Sequence, residues 1–273
     1  MTFIDKWLET VEKKDSVLCA GLDPAEYDMG RDSKGLPEGT DKFEWALAYI
    51  EAVAPYCAAI KPNLQYWKDV SDMYVLTEIS KVAHENGMVV IDDSKLSDIG
   101  STNEAGVYYA AKHGADAVTY APFAMNIKEV AEQGDKWDVG IISLCIMSNP
   151  EYAAMKNAMI TLEDGVRRRM FEAIAMQCGE YGIDGVVIGA PSETNHITSD
   201  EIWTARSHLD DQLVLLPGVG AQGGEADAIW NYFGKDCVIV NVGRSFMFPG
   251  NDSSWAEKGE EYRDMLNGLR KKA

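Results

Sequence analysis

Residues 92 to 98, Asp92-Asp93-Ser94-Lys95-Leu96-Ser97-Asp98, follow the apolar run Met88-Val89-Val90-Ile91 and place three carboxylates and one ammonium within seven positions. Along a strand, side chains alternate in direction, so Asp93 and Lys95 share one face while Asp92 and Ser94 point the other way. Opposite charges about 4 Å apart attract by about 4 kcal/mol at an effective dielectric of 20, so a lysine flanked by carboxylates stays protonated. That suits a proton donor and argues against a Schiff-base lysine, which needs a lowered pKa. A purely structural ion-pair network is the competing reading of the same residues.

Other polar groups follow apolar runs in the same manner. Asp23 follows Val17-Leu18-Cys19-Ala20-Gly21, Lys61-Pro62-Asn63 follows Cys57-Ala58-Ala59-Ile60, and Ser148 follows Gly140 to Cys145. Leu213 to Leu216 leads into Pro217-Gly218-Val219-Gly220-Ala221-Gln222-Gly223-Gly224, and Val238 to Val242 leads into Gly243-Arg244. A glycine-rich stretch running into a helical segment, here read as Glu225 to Tyr232, presents backbone N–H groups to an anion, and Arg244 adds a fork of donors. This pair of loops is the expected phosphate site.

These groups need a scaffold that gathers strand ends. Including Met88 to Ile91, Ala117 to Tyr120 and Val186 to Gly189, the chain holds eight short continuous apolar runs, the pattern of parallel strands buried on both faces. Helical spacing lies between them, as at Trp67, Val70, Tyr74, Ile79 and Val82 before Glu85-Asn86-Gly87. Eight strand-and-helix units in 273 residues with no dividing linker predict an α/β fold, a single (β/α)8 TIM barrel domain over residues 1–273 with an extra N-terminal helix. Active sites of this fold form at the C-terminal strand ends. No GxGxxG follows the first strand, which weakens a dinucleotide fold. The long connections 24–42 and 147–161 are candidate lids, and Ser101-Thr102-Asn103-Glu104 reads as a capping box.

A net charge of −19 works against nucleic acid and anionic membranes, so neither is an expected partner, and any anionic substrate needs a local site that overrides the global field. Arg167-Arg168-Arg169 and Arg270-Lys271-Lys272 read as solvated helix faces. No apolar stretch reaches membrane-spanning length and no signal peptide is visible, so a soluble cytoplasmic protein is expected. The five cysteines form no CxxC pair and read as buried free thiols. The four histidines show no ligand spacing, so they are expected at surface or helix positions and no metal is expected.

The pattern Asp93-Ser94-Lys95-Leu96-Ser97-Asp98-Ile99-Gly100-Ser101-Thr102 resembles the DxKxxDIxxT motif of the orotidine 5′-phosphate decarboxylases, and the likeness extends in order through Gly21-Leu22-Asp23-Pro24, Ile60-Lys61-Pro62-Asn63, Met147-Ser148-Asn149-Pro150, the 217–224 stretch and Val242-Gly243-Arg244. It is most similar to the longer bacterial-type subgroup. The resemblance implies metal-free and cofactor-free decarboxylation of orotidine 5′-phosphate to UMP and CO2 in pyrimidine biosynthesis, by a homodimer with shared active sites. It implies a catalytic array of Lys61, Asp93, Lys95 and, from the neighbouring subunit, Asp98, with Lys95 protonating C6. Asp23 and Lys61 would hold ribose hydroxyls, with Thr102 reaching them across the interface. Ser148 would read the pyrimidine, Gln222, Gly243 and Arg244 would hold the phosphate, and Pro217 and Ile99 would line the pocket. Asp92 and the long 24–42 loop stand outside that pattern. Two rivals remain: a Mg2+-dependent sugar-phosphate aldolase or decarboxylase of the same barrel group, whose acidic metal ligand on the second strand is replaced here by Lys61, and a non-catalytic phosphate-binding barrel.

Overall fold

The computed structural model describes residues 1–69, 72–192, 195–219, 226–250 and 253–272. Among the described residues, ten strands run in chain order: β1 (Leu18–Leu22), β2 (Ala59–Pro62), β3 (Val89–Leu96), β4 (Ala117–Tyr120), β5 (Gly140–Ile146), β6 (Met159–Thr161), β7 (Arg167–Arg169), β8 (Gly185–Ile188), β9 (Leu213–Pro217) and β10 (Val238–Val242). Eight of them close into a parallel barrel in the order β1-β10-β9-β8-β5-β4-β3-β2, while β6 and β7 form a separate antiparallel pair. The barrel strands are the eight apolar runs, buried on both faces because helices cover the outside and side chains fill the inside.

Among the described residues, ten α-helices accompany them: α1 (Phe3–Lys14), α2 (Lys42–Val53), α3 (Asp72–Glu85), α4 (Gly100–Lys112), α5 (Ile127–Trp137), α6 (Tyr152–Lys156), α7 (Met170–Glu180), α8 (Ser199–Arg206), α9 (Arg244–Met247) and α10 (Trp255–Arg270). The unit after β9 departs from the expected helix over 225–232: among the described residues it holds only a 3-10 helix, Asp227–Asn231. Trp67 lies ahead of α3 rather than in it, and the capping box at Ser101 is not formed. Instead Asn103 folds its amide back onto the backbone of Asp98, accepting from the Asp98 N–H at 3.0 Å, and Glu104 pairs with Lys136.

The 147–161 connection extends to Arg169 and is structured by α6 and the β6–β7 pair, so Arg167-Arg168-Arg169 is a strand and not a helix face. Arg270 is buried as well, held between Asp15 and Asp236. Lys156 is 2% exposed; its ammonium is 2.6 Å from Glu201 and also donates to the His196 carbonyl, pinning α6 to the segment that leads into α8.

The N-terminal helix closes the opposite end of the barrel from the polar strand ends. Thr2 and Asp5 cap it reciprocally. Its buried stripe, Phe3, Trp7 and Val11, meets groups that precede strands: Trp7 Nε1 donates to the Asp236 carbonyl at 2.8 Å, Lys6 pairs with Asp116 at 3.1 Å, and a Cβ on Gly140 would come within 2.5 Å of Phe3. Replacing Trp7 by alanine should lower unfolding free energy by about 3–5 kcal/mol through the cavity it leaves, measured by urea denaturation, with turnover per folded molecule unchanged because this end is remote from the site below.

Candidate active site

Strand β3 does not stop where its apolar residues stop. It continues through the charged motif to Leu96, and its pairing with β4 shifts register between Asp92 and Leu96. Lys95 adopts φ 53°, a left-handed conformation that a lysine rarely takes. Alternation therefore accounts for Asp92 facing outward and Asp93 inward, while Lys95 reaches the site through an irregularity that alternation alone does not describe.

Thr119 on β4 holds that irregularity in place. Its hydroxyl accepts from the Lys95 N–H at 2.9 Å and donates to Asp93 Oδ1 at 2.9 Å. Asp93 Oδ1 also accepts from Lys95 Nζ at 2.6 Å, and Asp93 Oδ2 accepts from Lys61 Nζ on β2. Burial disfavours the charge on Asp93, but Lys61 and Lys95 outweigh it and hold the carboxyl well below its ordinary value. Burial opposes the charge on Lys61 too, yet Asp93 and Asp23 hold it above the ordinary lysine value. The Lys95 side chain, 43% exposed, is the open end of this chain of charges.

The same groups face a cavity of about 430 Å³ at the C-terminal strand ends. Asp23, Lys61, Asp93, Lys95, Ser148, Pro217, Gly243 and Arg244 all line it, joined by the apolar Leu144, Met147, Val187 and Leu215. One Asp23 oxygen is buried and accepts from no described group; the other receives the Asn63 amide at 3.3 Å. Asp98, Ile99 and Thr102 do not line this chain's cavity: they lie exposed on the β3–α4 turn and the first turn of α4. Gln222 lies outside the described residues, as does the start of the segment expected to be helical.

The sequence did not single out Thr119, Asn241, Arg31 and Lys34 as lining or supporting groups. Thr119 carried a signal, being a hydroxyl inside the apolar run Ala117 to Tyr120. It also missed the partner of Asp92. His113, at the end of α4, is 3% exposed, and its Nε2 lies 2.9 Å from Asp92 Oδ2, while Ser94 donates to the other Asp92 oxygen. So His113 is a core residue, and Asp92 ties the catalytic strand to α4.

Because Asp93, despite its burial, is held below the usual carboxylate range by Lys61 and Lys95 when folded, the stability its charge contributes is full above about pH 4 and is lost as pH falls through the depressed folded value. Urea midpoints of the wild type should therefore fall more steeply between about pH 4 and pH 2 than those of Asp93→Asn; equal slopes would show that the charge is not held this way.

Comparison with known proteins matches residues 16–258 to the model of the orotidine 5′-phosphate decarboxylase / HUMPS family. The orotidine 5′-phosphate decarboxylase of Halobacterium salinarum is 32% identical, covering 98% of this chain and 99% of its own length. The protein of the same name from Bordetella petrii is 27% identical, covering 99% and 100%. Among solved structures, the OMP decarboxylase of Leishmania donovani superposes with a TM-score of 0.79 over the whole of both chains at 24% identity, which speaks to the barrel. With a family model spanning most of its length and a relative at that identity along nearly all of it, the chain belongs to the orotidine 5′-phosphate decarboxylase / HUMPS family.

Proposed function

We propose that this chain decarboxylates orotidine 5′-phosphate to UMP and CO2, a carboxy-lyase step of pyrimidine biosynthesis, without metal or cofactor. The observation that carries it is the Lys61–Asp93–Lys95 chain at the cavity floor. The substrate carboxylate is placed beside Asp93, so like charges oppose each other in the bound state and the opposition disappears as CO2 leaves. The C6–carboxylate bond breaks, its electron pair stays on C6, and the Lys95 ammonium first stabilises that charge and then delivers its proton. Asp23, with its open oxygen, and Lys61 hold ribose hydroxyls. Ser148 and the apolar wall take the pyrimidine. Gly243 and Arg244, with Gln222, take the phosphate, whose remote binding energy is available for closing the site.

Lys61 also bears on the family's metal-dependent branch. Its ammonium is bound to Asp93, and a cation fixed there repels Mg2+ from the carboxylate that would have to hold it.

The exposed turn carrying Asp98, Ile99 and Thr102 is read as the part of the site each subunit lends to a partner copy. Ile99 is 61% exposed and Phe123 is 77% exposed, and Asn126, three residues after Phe123, donates to the Asp98 carbonyl at 3.3 Å. Large apolar groups beside a carboxylate of the motif fit an interface better than open solvent. No helix among the described residues is long and apolar enough to cross a membrane, and the cytoplasm is the proposed location.

The test is CO2 release from orotidine 5′-phosphate. Wild type should turn over equally with and without chelator, Lys95→Ala should lose essentially all turnover, and mixing Lys95→Ala with Asp98→Ala chains should regain activity through one intact site per mixed dimer. Absent turnover in wild type sinks the reaction; no recovery despite confirmed subunit exchange sinks the shared site. Thr119→Val, which removes one of the two donors to Asp93 Oδ1 and leaves the Lys95 N–H without its acceptor, should lower kcat by about ten- to a hundredfold, from a loss of about 1–3 kcal/mol, while Thr119→Ser retains most of it.

A further inference from the structure

The β1–α2 connection, residues 24–42, divides most of its charges between two clefts. Four of its carboxylates, Glu26, Asp28, Glu38 and Asp41, line an outer cleft between this loop and Trp67, where Glu26 pairs with Lys42. Arg31 and Lys34 line the catalytic cavity instead, together with Gly243 and Arg244. Neither of the two makes an ion pair or side-chain hydrogen bond with any described residue, although carboxylates are plentiful on their own loop. Among the described residues the cavity consequently has five cations, Arg31, Lys34, Lys61, Lys95 and Arg244, against two carboxylates, Asp23 and Asp93, in a chain of net charge −19.

The loop is built to hold that arrangement. Leu36 N–H donates to the Ala25 carbonyl at 2.8 Å, and both side chains are buried, so the excursion between them is closed at its base. Asp32 at φ 48° and the 3-10 turn Asp32–Lys34 reverse the chain between the two cations. A Cβ on Gly35 would lie 3.1 Å from both the Ala25 carbonyl and the Arg31 Cβ, so a side chain there would push its neighbours aside by a few tenths of an ångström. At its start, the Asp23 N–H lies 3.2 Å from the Met247 sulfur, which places the loop's root beside α9, the element that begins with Arg244.

We infer that Arg31 and Lys34 are phosphate-binding residues: the loop forms a second wall of the anion site, facing Arg244, and holds the 5′-phosphate of the substrate. The inference rests on the reaction proposed above. Two of the five cations are engaged with Asp93, and the remaining three face a group that carries about two negative charges near neutral pH. Guanidinium and ammonium groups left unpaired beside a cavity are the donors such a group needs.

The experiment compares kcat/KM for orotidine 5′-phosphate with kcat/KM for orotidine, which lacks the phosphate, in wild type, Arg31→Ala, Lys34→Ala and the double variant. The nucleotide-to-nucleoside ratio should fall about tenfold or more for each single change and further in the double, with Arg31→Lys and Lys34→Arg recovering most of it. An unchanged ratio, or an equal loss on both substrates, overturns the assignment. Inorganic phosphate provides a readout independent of turnover: it should raise the thermal midpoint of wild type by more than that of the double variant. That difference in a wild type that does not decarboxylate the nucleotide would leave the loop's anion site standing while the reaction falls; equal midpoint shifts overturn the loop's role whatever the reaction.

Discussion

The site depends on one carboxylate that is never allowed to lose its charge. Asp93 is buried at the barrel's polar end, where an isolated ionised carboxyl would take up a proton rather than remain charged. Three donors prevent this: the ammoniums of Lys61 and Lys95 and the hydroxyl of Thr119. They come from three adjacent strands, β2, β3 and β4, so the charge is only as secure as the barrel registers that align them. Removing any donor leaves a buried charge partly uncompensated, which costs more than the missing bond contributes. Fold and chemistry are in this sense coupled through one side chain.

The same constraint explains why β3 is irregular. In a regular strand, residues two apart point the same way but stand nearly 7 Å apart along the chain, too far for a short lysine-to-carboxylate contact to leave the ammonium facing a ligand. Lys95 at φ 53° shortens and turns that path. Left-handed backbone at a residue with a side chain costs of order 1–3 kcal/mol and persists only where its surroundings over-determine it. Here the surroundings are Thr119, which receives the Lys95 N–H, and on the other face the buried Asp92–His113 contact with Ser94 bonded to Asp92. The outward face of the motif is thus a clamp on the inward face.

What was legible in the sequence follows from this division. Eight apolar runs spell eight strands because burial on both faces leaves little choice of side chain, and the groups at their ends spell a site because this fold gathers those ends. Strand alternation separated Asp93 from Asp92 correctly. It could not reveal the register shift, since a bulge is decided by pairing with β4, nor the His113 partner, which approaches from a helix about twenty residues further on. Thr119 was visible only as a hydroxyl out of place. Arg31 and Lys34 sit in a loop with more carboxylates than cations, and composition averages away the fact that the two signs point into different clefts.

That averaging matters for how a protein of net charge −19 receives an anion. Solvent at physiological ionic strength screens exposed charges beyond about 8 Å, so the far surface contributes little at the cavity floor and the nearest groups decide the sign there. Among those nearest groups, the sheet supplies Lys61 and Lys95, fixed and already committed to Asp93, whereas Arg244, Arg31 and Lys34 have no partner among the described residues. The two sets differ in what they can do. A committed ammonium beside a buried carboxylate can act on a developing carbanion because its position is already set. An uncommitted cation on a loop can bind an incoming group without first breaking a bond. Placing the first kind on strands and the second at strand ends and in a loop lets one cavity hold both an acid poised for transfer and a grip for the substrate.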